Sequence, residues 1–149
     1  MVEIERAGVK DHGVVTTLLI DFARHQGWTP EVDRDRWDRV IAQLLNSDGW
    51  HFLLAFEDGE PVGLAAVYWF LTLYGSREQA RLMALIVEEK HQKRGTGKRL
   101  MDDVLASARR RGCRELEVCV DPGNEAIARF YAGFDYTREQ RLLIWPCEE

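Results

Sequence analysis

The sequence predicts an α/β (α+β) fold: a mixed, mostly antiparallel central sheet flanked by helices, in the order β-α-α-β-β-β-α-β-α-β. Three observations predict it. Asp58-Gly59 lies between two apolar runs, a strong short-range hairpin signal. The apolar run 82–87 leads through a turn with two glycines into Leu100, Met101, Val104, Leu105 and Ala108 at helical spacing, which reads as strand, loop and helix. Residues 114–120 alternate as a further strand, and the helical crossover before it makes it a parallel neighbour of strand 80–87.

The elements follow in order. Residues 2–7 alternate and form a first strand. A helix starts at Lys10-Asp11, with Asp11 as N-cap, and carries the stripe Val14, Val15, Leu18, Leu19 and Phe22. It ends near 25–27, where Gly27 suits a C-cap. Trp28-Thr29-Pro30-Glu31 is a turn, and Trp28 reads equally as packing or as the wall of an acceptor pocket. A second helix spans about 31–46, with Trp37, Val40, Ile41, Leu44 and Leu45 as its apolar stripe and the charges between Asp33 and Arg39 as its solvated face. Ser47-Asp48-Gly49 breaks it. Strand 50–56, the hairpin turn, strand 62–73, a turn at 74–79 and strand 80–87 make an antiparallel meander. The next helix runs to about Arg111, with Gly112 as its C′ residue, and Arg109, Arg110 and Arg111 complement the negative end of its dipole. After strand 114–120, Asp121-Pro122-Gly123-Asn124 turns and caps a short helix, 125–132. Gly133-Phe134 ends it, and 136–145 forms one last strand or two short ones. No repeat, low-complexity segment or interior linker interrupts the chain, so residues 1–149 read as one domain.

Composition narrows the function. The net charge of −5 argues against a general nucleic-acid binder, which would be basic. Cys113, Cys119 and Cys147 show no metal or redox spacing and are odd in number, which suits reduced thiols; Cys119 reads as a buried strand cysteine. His12, His25, His51 and His91 are scattered and form no metal motif, so no metal is expected. The first residues lack the basic and apolar regions of a signal peptide, and no apolar run is long enough to span a bilayer. A cytoplasmic protein without nucleic-acid or membrane partners is the expectation. Tyr68, Trp69 and Phe70, with Trp145, suit the core; a homodimer face is the alternative.

Against this acidic background one loop is basic. Lys90, Lys93, Arg94, Lys98 and Arg99 crowd the start of the helix after strand 80–87. Cations there oppose the helix dipole, at a cost of about 0.3–1 kcal/mol each when exposed. A polyanion such as a pyrophosphate reverses the sign, because loop amides converge at the helix start. The Walker A pattern fails for want of glycine at Gln92 and Ser or Thr at Arg99. The dinucleotide fingerprint fails for want of glycine at Leu100.

What remains, Gln92-x-x-Gly95-x-Gly97, resembles the acyl-CoA loop (Q/R-x-x-G-x-G/A) of the GNAT superfamily of N-acetyltransferases. Further on, Asn124 and Tyr131, followed by Gly133-Phe134, resemble the second motif of that family (N-x-x-A-x-x-F-Y … G-F), with Ala128 and Phe130 inside it. The element order is also that of the GNAT fold. The chain departs from the family in three places. A single residue, Ala132, separates Tyr131 from Gly133, where about three are usual. Glu89 replaces a common proline. Strand residues 81–87 hold no acid, so the usual general base has no counterpart there.

The resemblance implies transfer of an acetyl group from acetyl-CoA to a primary amine, in a small molecule or a peptide, by direct attack in a ternary complex. By the same resemblance Gln92, Lys93, Arg94, Gly95, Thr96, Gly97 and Lys98 bind the pyrophosphate. The backbone of Leu85, Ile86 and Val87 pairs with the pantetheine arm, and Asn124 hydrogen-bonds that arm. Tyr131 is the general acid, a neutral phenol of pKa near 10 facing a thiolate of pKa near 8.5. Asp121 and Glu117 are the candidate bases, with a water relay as the alternative. A non-catalytic acyl-CoA-binding module or sensor is the competing function. It is supported by the short Tyr131–Gly133 spacing and the missing strand acid.

Overall fold

Turn chemistry and alternation set the register of the sheet. The computed structural model describes residues 1–27 and 33–148. Asp58 and Gly59 take φ values of 52° and 79°, the two left-handed residues that a type I′ hairpin needs. They join β2 (Trp50–Glu57) to β3 (Glu60–Leu71). With β1 (Val2–Arg6), β4 (Glu78–Val87) and β5 (Leu116–Val118) these strands form one sheet in the order β1-β2-β3-β4-β5. The first four are antiparallel neighbours. Between β4 and the approach to β5, Arg114 N–H donates to Glu78 O and Ala80 N–H donates to Glu115 O. The two bonds advance together along both strands, the parallel sense expected of a crossover connection.

By compactness the chain divides into two units, Met1–Glu117 and Val118–Glu149. In the first, α1 (His12–His25) and α2 (Arg34–Leu45) cover one face of the sheet. Val15, Leu18 and Ile41 of these helices share a core with Phe52, Leu54, Leu64, Ala66 and Ile86. The opposite face carries α3 (Thr96–Arg110), whose Leu100 and Val104 are fully buried. Burying a leucine stabilises by about 1.5–3 kcal/mol. Gly63 permits this packing: a Cβ there would stand 3.0 Å from Ile86 O and 3.2 Å from Leu100 Cδ1. Residues 62–67 of β3 are therefore buried in sequence rather than alternately, as in a central strand covered on both faces. The second unit holds α4 (Glu125–Ala132), capped by Asn124.

The caps follow the sequence closely. Gly27 and Gly112 take φ of 72° and 75° just past α1 and α3. Asp11 precedes α1, and its Oδ2 accepts from the Gly8 amide. Asp33 caps α2 by accepting from Arg36 N–H, so this helix begins three residues later than the periodicity placed it. The expected turn at Trp28 lies outside the described residues.

Four expectations are corrected. Residues 136–145 form no strand, and Leu142, Leu143, Ile144 and Trp145 are exposed. Apolar, β-prone residues become a strand only where a neighbour takes up their backbone hydrogen bonds. Trp145 and Tyr68 are thus outside the core, whereas Trp69 is within it. Cys119 is exposed rather than buried, because β5 stops at Val118 and the cysteine lies past the ladder. Val40 is also exposed, on the flank of the stripe that Ile41 centres.

Candidate active site

Backbone conformation shapes the segment between β4 and α3 into a tight turn. A 3-10 turn at Glu89–His91 follows β4. Lys93 then adopts φ 61° and Gly95 φ 86°, so the chain turns left-handed twice within three residues. For lysine this costs about 1–2 kcal/mol; for glycine it costs almost nothing. Gly95 is the N-cap of α3, and no side chain caps the helix. The first turn contains no acid. Its first amides have no partners within the helix, the general condition for an anion at a helix start. Thr96, the first helical residue, is 2% exposed, and its buried Oγ1 has no hydrogen-bond partner among the described residues. Buried hydroxyls without a partner are uncommon in folded proteins.

The cations of the loop are used unevenly. Lys98 Nζ pairs with Asp102 at 2.7 Å, one helical turn on. Arg99 donates to Val2 O and ties α3 to β1. Arg94 Nη1 lies 3.5 Å from Glu57 Oε1, and Lys90 lies 3.9 Å from Glu88. Lys93 makes no ion pair among the described residues. Gln92 donates from Nε2 to Val87 O, which fixes the start of the loop to the end of β4. The structure thus brings Gln92, Lys93, Arg94, Gly95, Thr96, Gly97 and Lys98 into one connected turn.

The strand leading into the turn carries a feature absent from the sequence pattern. Ala66 pairs with Ala84 but Val67 pairs with Leu82, so Met83 is the extra residue of a β-bulge. The bulge shifts the pleat by one. Ala80 and Leu82 share the face of Trp69 and Val67, while Ala84 and Ile86 share the face of Ala66 and Leu64. Leu85 and Val87 accordingly lie on the α3 face, paired with Ala65 and Gly63. Met83 is half exposed at the kink. Simple alternation hid it, since one inserted residue in an apolar run leaves no signal.

The candidate acid–base residues stand differently. Glu117 accepts at both oxygens: Arg81 Nη2 lies 2.6 Å from Oε1 and Gln79 Nε2 2.8 Å from Oε2. Asp121 Oδ1 accepts from Gly123 N–H at 2.9 Å, closing the turn before α4. Asn124 Oδ1 accepts from Ile127 N–H at 3.1 Å as the N-cap. Its side-chain oxygen therefore already has a structural partner. Tyr131 is the buried residue of α4, its ring edge-on to Phe130, and burial pushes its phenol up to about 12. No group of three or more His, Cys, Asp or Glu among the described residues is placed to hold a metal. No helix among them is long and apolar enough to cross a membrane.

Comparison with known proteins agrees with this architecture. A sequence profile of the Acetyltransferase (GNAT) family matches residues 15–136. An uncharacterised N-acetyltransferase of Methanocaldococcus jannaschii is 25% identical over 115 residues, which are 75% of this chain and 50% of that protein. The chain thus spans about half the length of that curated relative. Among solved structures, an aminoglycoside acetyltransferase from an uncultured soil metagenomic sample, in complex with sisomicin, superposes with a TM-score of 0.84 at 20% identity, covering 99% of this chain and 96% of that one. A ribosomal-protein-alanine N-acetyltransferase from Brucella melitensis biovar Abortus 2308 gives 0.81 at 18% identity, covering 99% and 100%. These likenesses are of fold; the profile match over most of the chain decides the family. The chain belongs to the GNAT family of acetyltransferases.

Proposed function

We propose that this protein transfers an acetyl group from acetyl-CoA to a primary amine by direct attack in a ternary complex. The observation that carries the reading is the turn before α3. Two left-handed residues and an acid-free first helical turn together suit a diphosphate. Acetyl-CoA held there would supply the acetyl group and a thiol leaving group. The amides of residues 95–98 bind the diphosphate, and Lys93 adds an unpaired charge. The backbone of Leu85, Ile86 and Val87 lines the pantetheine arm.

Tyr131 is the proposed proton donor to the departing sulfur. With its pKa raised to about 12 it stays protonated at physiological pH, as a donor must. Burial also makes it a weaker acid than a free phenol, so its main contribution is a hydrogen bond to developing negative charge. For the base, Glu117 is committed to Arg81 and Gln79, and Asp121 keeps Oδ2 free of hydrogen bonds among the described residues. Asp121 or a water relay is therefore the better proposal for deprotonating the amine. Asn124 serves α4 as its cap and is proposed to meet the pantetheine arm through its amide nitrogen. The engagement of Glu117 equally supports a non-catalytic acyl-CoA-binding module.

Titration calorimetry with acetyl-CoA, with ATP and NAD as controls, tests the donor. Thiol release with a panel of amines separates enzyme from binding module, and the panel should include an aminoglycoside and a peptide with N-terminal alanine. Saturable acetyl-CoA binding without thiol release from any amine would favour the module. Absence of binding at millimolar acetyl-CoA would remove both readings.

A further inference from the structure

Glu57, the last residue of β2, places a carboxylate beside a turn built to hold an anion. Coulomb's law alone makes that position wrong, because an acid there repels a diphosphate and neutralises Arg94. The geometry shows what the carboxylate does instead. His91 Nδ1–H donates to Oε2 at 2.6 Å, and Arg94 Nη1 stands 3.5 Å from Oε1. The two partners bracket Lys93, the residue held at φ 61°. One carboxylate from a distant hairpin therefore clamps the turn on both sides of its most strained residue. The imidazole and carboxylate are only 18% and 22% exposed, so solvent competes weakly with the bond. The same hydrogen bond, with Arg94 adding to it, holds the Glu57 carboxyl below the usual carboxylate range.

We infer that Glu57 is a positioning residue for the donor site: it fixes the left-handed turn that aims the amides of α3, acting through His91 and Arg94 and without touching the ligand. Arg94 then serves the shape of the turn more than the charge of the ligand. The inference rests on the acetyl-CoA reading above. It also has an unusual consequence, since electrostatics and positioning predict opposite signs when the acid is removed.

Calorimetry on the full chain with acetyl-CoA as the probe reads that sign. Glu57→Ala should weaken binding about tenfold, the worth of one charge-assisted hydrogen bond. Glu57→Gln keeps an oxygen for His91 and should bind within about threefold of the wild type. The Michaelis constant for acetyl-CoA should rise in Glu57→Ala while the turnover number at saturation holds, a split that general destabilisation would not give. His91→Ala should weaken binding similarly, and the double variant should be no weaker than the worse single one. Equal or tighter binding by Glu57→Ala would overturn the inference. Should that variant not fold, as judged by circular dichroism, His91→Ala decides: weakened binding supports the clamp and unchanged binding overturns it. Failure of the wild type to bind acetyl-CoA would bring down the donor assignment itself. Wild-type binding with an indifferent Glu57→Ala brings down the clamp alone.

Discussion

The turn at 92–98 and the segment 121–131 both carry residues that the sequence singles out, yet they are made in different ways. In the turn, the proposed working groups are backbone amides, and the side chains are tied elsewhere: Lys98 to Asp102, Arg94 to Glu57, Gln92 to Val87. In the second segment the proposed working groups are side chains, and two of them already serve local structure, Asp121 in its turn and Asn124 as a cap. A site made of backbone is announced by the residues that permit the backbone shape. A site made of side chains is defined by what each one meets, which no local pattern records.

The largest expected effect would sharpen this contrast. Tyr131→Phe removes one proposed proton donor and leaves the backbone cradle intact. Turnover should fall about 100-fold, within the usual range for a general acid, with acetyl-CoA affinity unchanged by calorimetry. A fall below twofold would assign Tyr131 to packing alone. The mirror experiment is Gly95→Val. A β-branched residue at φ 86° is strained, although nothing lies within 4 Å of the added Cβ. Acetyl-CoA binding should weaken about tenfold, corresponding to about 1–2 kcal/mol of strain, while turnover at saturation is retained. If binding survives unchanged, the cradle is not made of backbone.

Smaller effects test residues whose partners come from elsewhere in the fold. Glu117→Gln should change turnover less than about twofold and lower stability by about 1 kcal/mol, as expected for a partly exposed ion pair. A hundredfold loss of turnover would restore Glu117 as the base. The smallest effect concerns pH. Desolvation, with Arg6 and Arg111 nearby, pushes His51 down to about 4 from an ordinary 6.5. The unfolded chain therefore binds this proton more readily. The neutral imidazole's contribution is complete above pH 6.5 and is lost as pH falls toward 4. Thermal melts should show an acid limb in that window, shallower in His51→Asn.

Much of the fold was legible because its determinants are local. Asp58-Gly59 sets a two-residue hairpin, Gly27 and Gly112 stop two helices, and Asn124 starts a third. Strand 136–145 was misread because Leu142, Leu143, Ile144 and Trp145 look like strand residues, and only a pairing partner makes a strand. Cys119 was misread because the end of β5 depends on its ladder. The glycine-bearing turn before α3 was legible in Gly95, Gly97 and the crowded cations. The role of each cation was not, since Glu57 and Val2 reach the loop from far along the chain.

By itself the sequence determined the order of elements as far as α4, the turn types, the helix caps and the presence of a glycine-bearing loop before an amphipathic helix. These depend on backbone conformations and periodicities that neighbouring residues impose. The tertiary structure decided the Met83 bulge, the commitment of Glu117 to Arg81 and Gln79, the burial of Thr96 and Tyr131, and the Glu57 clamp. The physical reason is common to all four: register, desolvation and long-range pairing arise only when distant segments share one neighbourhood.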